Sequence, residues 1–377
     1  MLLIKNGKIL TMADKDFDTG DILIDDGKIV DIDDSIIADG AEVFDAKGCT
    51  IIPGIVDPHC HIGMWEDGID KEGADGNEMT DPITPELRAI DAINPLDRCF
   101  REALEGGVTT VVTGPGSANV IGGQFVAMKT YGTCVDEMVI KAPQSLKAAL
   151  GENPKGVYGE QKKSPSTRMA TAALLRSTLV EAGQYNSEVF GEKPPRRDLK
   201  NEILVQVLDG EVPMKIHCHR ADDIMTAIRI AREFDLTISL DHCTEGYLIP
   251  EYIKGSGAKI IIGPLLCDRC KPELANLSME APRILYENGI EFAIMSDHPV
   301  QLTQYLTVTA ALAVRHGLPE REALKAITIN AARAAFIDET VGSIEVGKDA
   351  DLVVYDGDPL DARTRIEQVF INGKKVK

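Results

Sequence analysis

Six of the seven histidines in this chain of 377 residues fall in four short segments: P-H-C-H (His59, His61), I-H-C-H-R (His217, His219), L-D-H-C (His242) and M-S-D-H-P (His298). Each segment closes a run of apolar, often β-branched residues, the texture of a buried strand, so these histidines are expected at strand ends. Side chains alternate across a strand, so His59 and His61 share one face, as do His217 and His219. Asp297, next to His298, adds a carboxylate. Neutral imidazole and carboxylate are ligands for divalent cations, so the pattern predicts a metal centre assembled from distant segments. This N/O donor set suits zinc, with manganese, iron or nickel as alternatives. His316, near the end of a predicted helix, stands outside the pattern.

Elements that could bring these segments together are visible in the hydrophobic pattern. Candidate strands lie at 51–58, 108–113, 137–141, 145–150, 213–218, 236–241, 258–263 and 290–296. Helical stretches at 84–106, 164–182, 197–208, 221–234, 247–256, 272–288, 303–315 and 319–336 separate most of them, with Asp222 and Pro319 as helix-start signals. This alternation predicts an α/β protein with a parallel (β/α)8, TIM-type barrel, whose strand C-termini share one mouth. Residues 116–140 depart from it and read as a Gly-rich loop and hairpin. Both chain ends instead use hairpin grammar, in L-L-I-K-N-G-K-I-L and again over 343–376. A small composite β-sandwich of residues 1–53 plus 342–377 is expected, around a metal-binding barrel of residues 54–341. The acidic stretch 65–82, directly after His61, reads as a substrate lid on the catalytic face.

Composition narrows the function classes. A net charge of −20 disfavours nucleic-acid and anionic-membrane partners. No leader-like or membrane-spanning apolar run is present, so the expected location is cytoplasmic. Eight cysteines in such a chain read as reduced thiols. Cys60, Cys218 and Cys243 are strand residues facing away from their histidine neighbours, and Cys267-x-x-Cys270 lacks the second pair of a zinc ribbon. T-G-P-G-S-A-N-V-I-G-G-Q (113–124) lacks the Walker ending and reads as a tight loop on the catalytic face. K-P-P-R-R (193–197) reads as a surface loop.

The order P-G-I-V-D-P-H-C-H, His217, His242, then S-D-H-P with Asp297 resembles the amidohydrolase superfamily. The ends L-L-I-K-N-G-K-I-L and V-G-S-I-E-V-G-K-D-A-D-L-V-V-Y-D are similar to that superfamily's small β domain. Within it, the chain looks closest to the imidazolonepropionase-like and metallo-dipeptidase-like groups. The resemblance implies that His59, His61 and Asp297 bind the more buried ion, and that His217 and His242 bind a second ion or the substrate. It also implies a bridging ligand, either Lys147 as a carbamylated lysine or Glu152. His219 and His298 are candidates for substrate contact. The implied reaction is hydrolysis of a C–N bond in an amide, dipeptide or cyclic amide by metal-activated hydroxide. Asp297 would be general base and acid, and His242 would polarise the carbonyl. Alternatives are an aminohydrolase (deaminase) acting on a small heterocycle and a non-catalytic scaffold of this fold. A homo-oligomer with a small-molecule substrate is the implied assembly.

Overall fold

The computed structural model of the chain describes residues 1–189, 191–192 and 194–377. Lys193, which opens the K-P-P-R-R run, lies outside the described residues. The strands in chain order are β1 (Leu2–Ile9), β2 (Phe17–Asp25), β3 (Lys28–Asp33), β4 (Glu42–Asp45) and β5 (Thr50–Pro53), followed by eight barrel strands. Those are β6 (Ile55–Cys60), β7 (Val108–Thr113), β8 (Ile121–Lys129), β9 (Val139–Ala149), β10 (Met214–Cys218), β11 (Ile238–His242), β12 (Lys259–Ile262) and β13 (Ala293–Ile294). The chain closes with β14 (Leu352–Tyr355), β15 (Ile366–Ile371) and β16 (Lys374–Lys375).

Strands from both termini form one separate sheet, in the order β16-β15-β14-β5-β1-β2-β3. One edge of β1 pairs with β2; the other is divided between β4 over its first half and β5 over its second. The sheet folds over there: Phe44 in β4 meets Phe370 in β15 edge-on at 5.5 Å, and Lys375 pairs with Glu42. Ile4, Ile22, Ile24, Ile51, Leu352 and Phe370 fill the core between the halves.

The barrel sheet runs in strict chain order from β6 to β13. It is parallel except around β8, which is antiparallel to both β7 and β9. Only residues 114–120 separate β7 from β8, too few for the crossover a parallel pair needs. The hairpin expected within 116–140 is therefore present, and the two candidate strands at 137–141 and 145–150 are one continuous β9. The candidate strand 51–58 divides differently, with β5 in the terminal sheet and β6 in the barrel. Gly54 marks the join, where a Cβ would lie 2.0 Å from Thr109 Oγ1. The Pro53-Gly54 pair interrupts the apolar run at this point, which is where the expected boundary between residues 1–53 and 54–341 falls.

Helices cover the outside, including Arg168–Val189, Leu199–Leu208 and Ala221–Phe234. The predicted 84–106 helix shortens to Arg98–Glu105, started by the Asp97 carboxylate, which accepts from Cys99 N. Within the barrel, Val56, Val112, Phe125, Ile261 and Ala293 pack with the alanines of helix Ile329–Ala334. The barrel is nearly closed, because β13 and β6 form no regular ladder. Two backbone bonds join that seam at the mouth, Asp297 N to His59 O (3.1 Å) and His61 N to His298 O (2.9 Å). The seam thus brings Asp297 against the first histidine pair.

Candidate metal centre

Two groups of metal-ligand type meet at the barrel mouth: His59, His61 and Asp297, and His217, His219 and His242. In the first, Asp297 Oδ1 lies 3.2 Å from His61 Nε2 and 3.6 Å from His59 Nε2. It is also 3.9 Å from His242 Nε2, so this one oxygen sits between the groups. In the second, the ring centroids of His217 and His242 are 4.2 Å apart, and His219 lies within 4.7 Å of both.

Hydrogen bonds to the far side of each imidazole set its orientation. His59 Nδ1 donates to Asp241 Oδ2 at 2.5 Å, His61 Nδ1 to Gly114 O at 2.7 Å and His242 Nδ1 to Gly263 O at 3.0 Å. These oxygens can only accept, so each proton is held on Nδ1 and each Nε2 lone pair is left for a ligand. His217 Nδ1 meets Ser117 Oγ, and His219 Nδ1 meets Thr244 Oγ1, both at 2.8 Å. The Gly-rich loop thus seats two histidines through Gly114 and Ser117.

Burial sets the charge states. His59 and His219 are pushed down to about 3, first by burial, and His217 and His242 also fall well below the usual imidazole range for that reason. Neutral imidazoles are the ligating form. Burial alone would raise the Asp297 carboxyl, but His61, His59 and Lys147 hold it below the usual carboxylate value. His219 Nε2, His242 Nε2 and Asp297 Oδ1 are buried with no hydrogen-bond partner. Unpaired buried polar atoms are costly unless something occupies the space between them. Neutral nitrogens and an ionised oxygen converging in this way fit divalent cations.

Lys147 in β9 is fully buried, with Nζ 3.3 Å from His59 Nε2, and burial pushes its pKa down to about 8. Glu152 opens helix Glu152–Glu160, belongs to neither ligand group, and its amide donates to Glu273 Oε1 at 2.6 Å. His219, a candidate for substrate contact, stands in the three-histidine group. His298 is buried beside the seam, off the wall of the main cavity. Arg220 pairs with the exposed Asp222, and Asp223 pairs with Arg168, so neither acid orients His219. From the acidic stretch, Trp65 turns inward to meet the His61 ring at 5.1 Å and lies on Gly76, where a Cβ would be 1.9 Å from the indole. Residues 67–72 face solvent.

The 50–376 segment matches the amidohydrolase family. The chain belongs to that family. It is 31% identical over 387 residues to the amidohydrolase tasK of Hapsidospora irregularis, covering 94% of this chain but only 39% of that longer protein. An imidazolonepropionase of Picrophilus torridus is 26% identical over 406 residues, across 100% of this chain and 98% of its own. The crystal structure of an amidohydrolase from Thermotoga maritima superposes with a TM-score of 0.97 at 42% identity, covering both chains completely. Family membership and the histidine-rich site together make this a metal-dependent hydrolase of the amidohydrolase type.

Several residues of this amidohydrolase site escape sequence reasoning. Asp241 and Lys215 are fully buried, and Lys215 Nζ reaches Asp241 Oδ2 at 3.0 Å and Pro58 O at 3.1 Å. Strand alternation does put Lys215 on the same face as His217, a usable signal. Asp241 is hidden by its neighbour: adjacent strand residues should face opposite ways, yet both Asp241 and His242 reach the centre. His242 does so because its φ is +71°, which turns the strand end over. Asp297 also has a positive φ, +55°. Such backbone costs of order 1 kcal/mol per residue and is held in place by the surrounding bonds.

Proposed function

We propose that this protein hydrolyses a C–N bond in a small amide, dipeptide or cyclic amide. The observation that carries the reading is the position of Asp297 Oδ1, between the two ligand groups and free of any hydrogen-bond donor. His59, His61 and Asp297 would hold one divalent cation and His217, His219 and His242 a second, zinc being the best match to the donors. When bound, such cations supply Lewis acidity towards water and a substrate carbonyl. Asp297 stays ionised and takes the proton of the attacking water, then delivers it to the leaving nitrogen. His242, whose proton is held on Nδ1 by Gly263 O, would hold a cation through Nε2 and leave polarisation of the carbonyl to that cation. Lys147 is our choice over Glu152 as the bridging residue. Its lowered pKa leaves a fraction of neutral amine near pH 7, the form that adds carbon dioxide to become a carbamate.

The test is metal analysis of purified protein together with turnover of a panel of N-acyl amino acids, dipeptides, cyclic imides and aminoheterocycles. Stoichiometric metal and release of a free amine or ring-opened acid are expected. Ammonia release from the heterocycles alone would move the assignment to an aminohydrolase. Absence of both metal and turnover would favour a scaffold.

A further inference from the structure

The cavity over the centre, about 600 Å³, has a mainly apolar surface to which Trp65, Pro264, Leu274, Pro299 and Val300 contribute, and beyond the ligand groups its charged lining residues are Asp268 and Lys271. Lys271, in the segment that follows β12, is the one lysine or arginine among its lining residues. It is half-buried, and Nζ donates to the neutral amide oxygen of Asn153 at 3.1 Å. The Nδ2 of the same amide lies 3.4 Å from His217 Nε2. Lys271 therefore stands one side chain away from the three-histidine group.

Among the described residues, no carboxylate forms an ion pair with Lys271. That is unexpected in a chain with 60 acidic and 40 basic side chains, where an anionic partner is usually near. Two acids close in the chain form no ion pair with it: Glu273 is buried, with Oε1 accepting from the Glu152 amide, and Asp268, which lines the same cavity, is exposed. A cation at the mouth of a mainly apolar cavity, with a neutral partner, is an anchor for an anion. It also gives an anionic ligand a local attraction that the net charge of −20 otherwise opposes.

We infer that Lys271, with Asn153, binds the α-carboxylate of an N-acyl amino acid or dipeptide whose remaining groups are apolar. This rests on the C–N hydrolase reading above and names its substrate class. In such a molecule the carboxylate carbon lies roughly 3–4 Å from the scissile carbonyl carbon, given ordinary C–N, N–Cα and Cα–C bonds. With the carbonyl beside His242 and Asp297, the proposal sets the carboxylate on the Asn153 and Lys271 side of the three histidines, next to His217. The apolar walls receive the acyl group and the amino-acid side chain.

The experiment compares N-acetyl-L-leucine with N-acetyl-L-leucinamide, which differ at the carboxylate alone. Calorimetric binding and turnover are measured on metal-loaded wild-type protein and on Lys271→Met and Lys271→Arg, with metal content checked for each. The wild type should bind the acid about 10- to 100-fold more tightly than the amide, the range of a charge-assisted hydrogen bond. Lys271→Met should bring that ratio close to one, and Lys271→Arg should keep most of it. Equal binding of acid and amide by the wild type, or an unchanged ratio in Lys271→Met at normal metal content, would overturn the assignment. Preferential binding of the acid without hydrolysis of any panel compound would instead count against the hydrolase reading and leave the Lys271 site standing.

Discussion

Replacing Asp241 by Asn tests whether the buried network behind His59 supports both fold and metal. In the wild type Asp241 Oδ2 receives His59 Nδ1–H at 2.5 Å and Lys215 Nζ at 3.0 Å, while Oδ1 receives Ser239 Oγ at 2.6 Å. Burial would raise this carboxyl, but Lys215, His59 and Lys147 hold it far below the usual range, so it is an anion at any ordinary pH. Asp241→Asn removes the charge without changing the volume. Lys215, 1% exposed, then keeps only neutral acceptors, Pro58 O and the new amide oxygen, with no counter-charge. Breaking one side of a buried ion pair costs about 3–5 kcal/mol. The imidazole of His59 also loses its charged acceptor, a change that typically weakens metal binding 10- to 100-fold, or about 1.4–2.8 kcal/mol. These effects separate experimentally: urea unfolding of chelator-treated protein reads the first, and competitive metal titration of folded protein reads the second. Lys215→Met in the Asp241→Asn background removes the stranded cation, so the double variant should be more stable than the sum of the single losses by at least about 1 kcal/mol. The reasoning is refuted if Asp241→Asn unfolds within about 1 kcal/mol of wild type and retains metal within threefold.

Three further outcomes follow from the same geometry. Asp297→Asn should lower kcat at least about 100-fold while the far-ultraviolet circular dichroism stays that of the wild type; activity within tenfold would remove its role in proton transfer. Lys147→Ala should lose bound metal and the carbamate mass that a native mass spectrum of the wild type would carry; full retention of two ions would exclude it as the bridge. Lys129 in β8 lies 2.7 Å from both Asp349 and Asp351 near the terminal sheet, and is 7% exposed, so Lys129→Met should cost about 3–5 kcal/mol by leaving the buried Asp351 without a cation and Asp349 with Lys28 alone. Burial lowers the Lys129 pKa, but Asp351 and Asp349 outweigh it and raise the value above 10.5, while Lys129 and Lys28 bring Asp349 below 3.8 against the opposing effect of burial. The lysine's contribution is present below pH 10.5 and is lost as pH rises through its folded pKa; that of Asp349 is present above pH 3.8 and is lost as pH falls through its folded pKa. Urea midpoints of wild type and variant should therefore differ by a constant amount from pH 5 to 9 and converge below about pH 4; a gap that persists in acid would contradict the ion-pair origin.

What the amino-acid sequence determines here is local and periodic. His-x-His at the end of an apolar run places two imidazoles on one side of a strand whatever surrounds it, so His59 with His61 and His217 with His219 are legible directly. Hairpin texture at both ends announces the terminal strands in the same way. Tertiary structure decides whatever depends on residues far apart or on a departure from alternation. The barrel seam brings Asp297 to His61 across more than two hundred residues. The positive φ of His242 lets Asp241 and His242 serve the same centre, and a seven-residue connection forces β8 to run antiparallel. Lys147 and Glu152 stand five positions apart in the chain with similar claims as ligands, yet β9 buries the lysine beside His59 while the glutamate starts a helix outside both groups. Likewise, Lys271 becomes distinctive once folding has set it on the cavity wall with the neutral Asn153 amide as its partner. Strand periodicity is encoded within a few residues, whereas a buried charge acquires its meaning from the groups that packing sets against it.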